Sequence, residues 1–78
     1  MSDLEKEMTG LISKVLKIPE EKIFMNSNLF DDLGADSLLG VEILAALDKK
    51  FGINIPDERL GTVKTVSDLL KLVEEFKE

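Results

Sequence analysis

Neither cysteine nor histidine occurs among the 78 residues of this chain. Without cysteine there is no disulfide framework, no thiolate metal site and no cysteine nucleophile. Without histidine the commonest general base and the commonest metal ligand are missing too. Basic residues are in the minority: 10 Lys and Arg against 16 Asp and Glu give a net charge of −6, with a pI near 4.6. That balance argues against nucleic acid and anionic membranes as partners and suits proteins with basic surfaces. No apolar run approaches a membrane span, so no membrane insertion is expected, and the N-terminus lacks the basic and apolar regions of a signal peptide. A cytoplasmic location is the default expectation. The hydrophobic fraction of 44% and mean hydropathy of +0.03 describe a single globular domain, residues 1–78, just large enough for one small core.

Helical periodicity carries most of the pattern. Ser2 followed by Glu5 reads as a capping box, and Leu4, Met8, Leu11, Ile12, Val15 and Leu16 recur on one stripe, predicting a helix over 3–17. Lys14 and Lys17 suit its last turn, and Pro19 stops it soon after Ile18. Residues 19–36 have no sustained period, and a connection this long in so small a domain is usually functional. Ile23, Phe24, Leu29, Phe30 and Leu33 are its expected apolar anchors, with a turn at Asn26-Ser27-Asn28. A calcium loop fails on register: with Gly34 as the sixth position, Leu29 stands where the first carboxylate is required.

A second helix is predicted from Ser37 to Lys50. At 100° per residue, Leu39, Ile43, Leu44, Leu47 and Phe51 form a core stripe, while Leu38, Val41 and Ala45 fall off it, beside Glu42 and Lys49. Gly52 is the expected C′ residue. Ile53-Asn54-Ile55 reads as extended chain, and Pro56 to Leu60 as one short helical turn with proline at N1 and Gly61 as its stop. Thr65 and Asp68 repeat the capping signature before a last helix over 66–77, carried by Val66, Leu69, Leu70, Val73 and Phe76. The charged tail from Glu74 to Glu78 reads as a solvated face with a frayed end. Three substantial helices and one short one predict an all-α fold, a small antiparallel bundle.

The stretch Asp31-Asp32-Leu33-Gly34-Ala35-Asp36-Ser37-Leu38 leads into the second helix. Gly34 can reverse the backbone at positive φ, and Asp36 or Ser37 can cap the helix. The result is a serine hydroxyl at a positively polarised helix start, a favourable place for a phosphate. A serine there is, by itself, most simply an N-cap. The Asp31/Asp32 pair is adjacent in a loop and reads as solvated or capping, so no catalytic constellation is evident.

Asp32-Leu33-Gly34-Ala35-Asp36-Ser37-Leu38 resembles the attachment motif of acyl carrier proteins, whose serine bears a 4′-phosphopantetheine arm. The resemblance continues through Val41-Glu42, Phe51-Gly52-Ile53 and Ile55-Pro56-Asp57-Glu58 and covers nearly the whole chain. It implies a four-helix carrier topology and a monomer that is not an enzyme. Ser37 would receive the arm from coenzyme A through a phosphopantetheinyl transferase, with Asp36 assisting by helping to hold the transferase's magnesium. The arm's thiol would hold acyl intermediates as thioesters. Leu38, Val41, Glu42, Ala45, Asp48 and Lys49 would form the docking face for acyl-transferring and chain-elongating enzymes of fatty-acid, lipid or polyketide biosynthesis. The motif is closer to fatty-acid and polyketide carriers than to peptidyl carriers. A chain that begins at Met1 and ends soon after its last helix suggests a free-standing bacterial carrier. Leu39, Gly40, Lys49 and Lys50 depart from the family's usual acidic or small polar residues, which points to a specialised pathway. Gly40 lies within the core stripe, either because the loop around Leu29-Phe30 approaches closely or because a bound chain needs room. The alternative is an unmodified acidic helical module that binds a partner helix on the same mixed face.

Overall fold

Two of the three long helices end on the same device. The structure, a computed structural model, describes residues 3–77. Helix α1 (Asp3–Leu16) is followed by Lys17 at φ 60°, and α2 (Ser37–Phe51) by Gly52 at φ 67°. In each case the next isoleucine reaches back to close the turn: Ile18 N–H to the Ser13 carbonyl (3.2 Å) and Ile53 N–H to the Asp48 carbonyl (3.1 Å). This is the six-to-one bond of a Schellman ending. Gly52 adopts it freely, whereas Lys17 does so against its own Cβ. Helix α1 therefore stops one residue short of the predicted 17: Lys17 is the reversing residue, not part of the last turn. Helix α2 runs one residue beyond Lys50, to Phe51. The Ser2 half of the first capping box lies outside the described residues.

Helix α3 (Val66–Lys77) has the predicted bounds. Its capping box is reciprocal: Asp68 N–H donates to Thr65 Oγ1 (3.2 Å), while Lys64 and Thr65 N–H donate to Asp68 Oδ2 (3.0 and 3.1 Å). The short element before it is a 3-10 helix, Asp57–Thr62. Pro56 precedes it instead of opening it, and Gly61 does not stop it. Its i to i+3 bonds run from Arg59 N–H to the Pro56 carbonyl (3.0 Å) and from Val63 N–H to the Leu60 carbonyl (3.1 Å), and Gly61 keeps out of the left-handed region. A second 3-10 turn, Glu20–Lys22, lies in the long connection where none was predicted.

The rest of that connection is tied to the entrance of α3. A turn over 24–27, two residues earlier than predicted, is closed by Ser27 N–H on the Phe24 carbonyl and by Phe24 N–H on Ser27 Oγ (both 3.0 Å). Ser67 N–H then donates to the Met25 carbonyl (2.8 Å), Val66 N–H to the Ser27 carbonyl (3.1 Å) and Leu29 N–H to the Lys64 carbonyl (2.8 Å), around a bridge between Asn28 and Thr65. Asn28 Oδ1 next accepts Phe30 and Asp31 N–H (2.9 and 2.8 Å), an Asx turn that starts the approach to α2.

Met8 and Ile12 of α1, Ile43, Leu44 and Leu47 of α2, and Val66, Leu69, Leu72 and Val73 of α3 form the centre of the core, with Leu29, Ile55 and Val63 from the connections. Leu72 is a core residue the predicted stripe omits. Of the expected loop anchors, Ile23 and Leu29 are buried and Phe30 and Leu33 pack at the margin. Phe24 is not an anchor: its side chain is 60% exposed. Extended backbone at Ile23 alternates its neighbours, sending Ile23 inward and Phe24 outward.

The charged tail is not merely solvated. Glu75 pairs with Arg59 through both carboxylate oxygens (2.8 and 3.0 Å), joining the short helix to α3. The Arg59 guanidinium also lies 5.6 Å from the Phe76 ring centroid, and Lys77 Nζ lies 5.4 Å from that of Phe51. The hydrogen bond to Glu75 raises the Arg59 pKa and lowers that of Glu75.

The capping box gives a pH signature. Hydrogen bonds from Lys64 and then Thr65 N–H hold the Asp68 carboxyl below its ordinary value. A depressed carboxyl stabilises the fold above its unfolded pKa of about 4 and loses that contribution as pH falls through the folded value. The melting temperature of Asp68→Ala should therefore fall below that of the native chain at neutral pH, and the gap should close in the acid range below pH 4. Thr65→Ala should cost about 1 kcal/mol with a much weaker pH dependence, because the backbone N–H bonds that chiefly hold the Asp68 carboxyl down remain. A gap for Asp68→Ala that persists unchanged into strong acid would show that the ionised carboxylate is not the capping group.

Candidate functional site

Gly34, at φ 80°, turns the chain toward α2 in a conformation that L side chains rarely adopt. Ala35 then tucks into the core, and its N–H donates to the Leu29 carbonyl (2.9 Å). Asp36 is extended (φ −115°, ψ −175°), and its Oδ1 accepts Leu39 N–H at 2.9 Å. Of the two possible caps, Asp36 is the one used. That frees Ser37, the first residue of α2: it is exposed, and its hydroxyl makes no hydrogen bond within the described residues. The side chain next to it, Leu38, is 68% exposed.

Among the described residues no base is hydrogen-bonded to the Ser37 hydroxyl, and of the nearby carboxylates Asp32 and Asp36 accept backbone N–H groups. Asp32 Oδ2 accepts Asn28 N–H (2.8 Å), so the Asp31/Asp32 pair belongs to the turn. Among the described residues no group of three or more His, Cys, Asp or Glu could hold a metal ion. No helix among them is long and apolar enough to cross a membrane. The chemistry open to this site is that of an acceptor: an accessible hydroxyl at a helix N-terminus, where N–H groups and the macrodipole favour an attached anion.

A groove of about 500 Å³ opens beside Ser37 between α2 and the short helix, lined by Phe30, Val41, Asp57, Leu60 and Val63 among others. Next to it lies a crevice too narrow for a water-sized sphere, lined by Leu29, Ala35, Gly40, Ile43 and Leu69. Phe30 and Leu60 line both spaces. At Gly40 the packing is close: a Cβ there would stand 2.7 Å from Leu60 Cδ2 and 3.1 Å from Cδ1. The close approach that glycine permits is therefore made by Leu60 of the short helix, not by the loop around Leu29-Phe30. Gly40's core-facing angle was the only sequence signal for it, and Leu60 itself carried none.

The structure places Leu38, Glu42, Ala45 and Lys49 in solvent along α2, with Val41 half-buried at the edge of the groove. Asp48 differs from them. It is half-buried, and its Oδ1 accepts Ile55 N–H at 2.9 Å, fixing the chain that leaves α2.

A family model described as a phosphopantetheine attachment site matches residues 6–73. Among solved structures, the chain is similar to the apo doublet acyl carrier protein from prodigiosin biosynthesis, with a TM-score of 0.83 and 23% identity over 95% of its length. It spans 36% of that doublet chain. It is also similar to a Mycobacterium tuberculosis protein described as an acyl carrier protein, with a TM-score of 0.84 and 30% identity, covering 92% of this chain and 96% of the other.

The contact between Gly40 and Leu60 should appear as coupling in a double-mutant cycle. With Leu60→Ala in place, Gly40→Ala should stabilise the protein by up to about 1 kcal/mol, the helix-propensity gain alone. In the native background the same substitution must displace Leu60 and should lose that gain. Identical effects in both backgrounds, measured by urea unfolding, would show that Leu60 does not press on the helix.

Proposed function

Because the chain belongs to the phosphopantetheine-attachment family of acyl carrier proteins, we propose that the Ser37 Oγ is the atom that receives its 4′-phosphopantetheine. The observation that carries this reading is the division of labour at the start of α2: Asp36 caps the helix, and the Ser37 hydroxyl is left unengaged and exposed. Members of this family carry substrates and are not enzymes, and the prosthetic group supplies a thiol that holds acyl groups as thioesters. The chain's own residues present, orient and shelter. Asp36 Oδ1 is committed to Leu39, and its other oxygen has no partner within the described residues, which leaves it for the magnesium of a phosphopantetheinyl transferase. The groove beside Ser37, with Phe30 and Leu60 at its inner end, is the entry for an alkyl cargo. Each methylene buried there gains about 0.8 kcal/mol, offset by the cost of moving Leu60 from Gly40.

Leu38, Val41, Glu42, Ala45 and Lys49 make the docking face for acyl-transferring and chain-elongating enzymes, while Asp48 serves the fold. The protein works in the cytoplasm in a specialised branch of acyl metabolism, a reading supported by Leu39, Gly40, Lys49 and Lys50 on α2. Lys49 sets a positive charge among apolar and acidic neighbours. A basic enzyme patch meeting it loses on-rate first, and affinity by about 1 kcal/mol.

The decisive measurement is intact mass after incubation with coenzyme A, magnesium and a broad-specificity phosphopantetheinyl transferase. One phosphopantetheine should be gained, and Ser37→Ala should gain none while keeping its helical circular dichroism. An unchanged mass for the folded native chain would favour an unmodified interaction module.

Partner choice has its own test. Lys49→Glu should speed turnover by ordinary fatty-acid synthesis enzymes at low salt, with the advantage fading as ionic strength rises. Equal rates for both forms across several such enzymes would show that this face is not read electrostatically.

A further inference from the structure

Only two large apolar side chains among the described residues are left exposed, Leu38 and Phe24. Leu38 belongs to the face beside Ser37. Phe24 does not, and looseness does not explain its position. Its own N–H and carbonyl are bound by Ser27, and Ser27 is buried. On one side of the ring Ile23 is buried in the core, and on the other Met25 accepts a hydrogen bond from Ser67 at the start of α3. The ring therefore stands on a turn fixed from both directions, and little order remains to be imposed when something covers it.

It also stands between two grooves. One, of about 550 Å³, has Thr9, Ile23 and Met25 in its walls and Glu5, Lys6, Glu20 and Glu21 around them. The other, of about 610 Å³, has Ile18 and Leu33 with Glu21, Lys22 and Asp32. Four carboxylates thus face two ammonium groups around an apolar ridge. Neither groove shares a residue with the docking face on α2. The pattern is that of an interface centre: a rigid aromatic anchor with an ionic rim.

We propose that Phe24 and its flanking grooves form a second docking surface, for a segment of a partner protein that sets an apolar side chain beside lysine or arginine. Charge selects this occupant. A second copy of the chain would bring another acidic rim and a net charge of −6 against the first. A partner seated here leaves Ser37 and the α2 face clear, so one protein can retain the carrier while another services it.

The test is a nitrogen-15 NMR titration of the full chain with a model amphipathic helix of leucine flanked by arginine. A peptide of the same length with glutamate for arginine is the control. The arginine peptide should shift amides at 5–9, 18–25 and 32–33. Phe24→Ser should weaken its binding about tenfold, the size of one anchor side chain, and Leu38→Ser should leave it unchanged. The glutamate peptide should not bind. Because Phe24 is mostly outside the core, Phe24→Ser should keep the native spectrum and still gain phosphopantetheine, which separates this surface from the Ser37 reading. Shifts spread over all acidic faces, or equal losses from Phe24→Ser and Leu38→Ser, would overturn the proposal. Concentration-dependent shifts at 24 without peptide would also overturn it, in favour of self-association.

Discussion

The long first connection can be ordered only if its backbone polar groups find partners, and the entrance of α3 provides them. Met25, Ser27 and Leu29 exchange hydrogen bonds with Lys64, Val66 and Ser67, satisfying groups that a buried loop would otherwise strand. Everything nearer the site follows from that pairing. It seats Leu29 in the core, and the Leu29 carbonyl then holds Ala35. Asn28, just before Leu29, winds the chain through its Asx turn, and Gly34 reverses it. Asp36 arrives in extended conformation, ready to cap α2. The hydroxyl of Ser37 is thus positioned through hydrogen bonds that begin on the far helix.

Handing the cap to Asp36 is what leaves the Ser37 hydroxyl available. A serine that caps its own helix has its oxygen turned to the backbone, whereas here Ser37 is exposed and unengaged while Asp36 caps the Leu39 N–H. As the proposed acceptor, Ser37 needs nothing more reactive than a free hydroxyl, since activation is left to the modifying enzyme. This agrees with an approach loop in which the Asp32 carboxylate is spent on a turn. It also agrees with a family match that runs from residue 6 to residue 73 and so takes in all of α2 and most of α1 and α3.

What was legible in the sequence was local. Helix stripes, the Thr65–Asp68 box and the Gly52 ending are written in neighbouring residues, and they appear within a residue of where they are expected, with Leu72 the one core position the last stripe omits. What was not legible depends on residues far apart in the chain. Phe24 reads as one more apolar anchor until the alternation that buries Ile23 turns it outward. Glu75 reads as part of a solvated tail until Arg59, on another element, reaches it. Gly40 announced a close approach but not the identity of Leu60. Lys17 was hidden for another reason: a left-handed lysine contradicts residue preference, and only the closing bond from Ile18 makes it the residue that turns.

The crevice beneath Leu60 has a volumetric consequence. Space that water cannot enter disappears when the chain unfolds or opens there, which makes the opened state the smaller one. Hydrostatic pressure therefore favours states in which Leu60 has left Gly40 and solvent has come in. It does so at constant temperature and composition, without competing for any hydrogen bond that holds Ser37 in place.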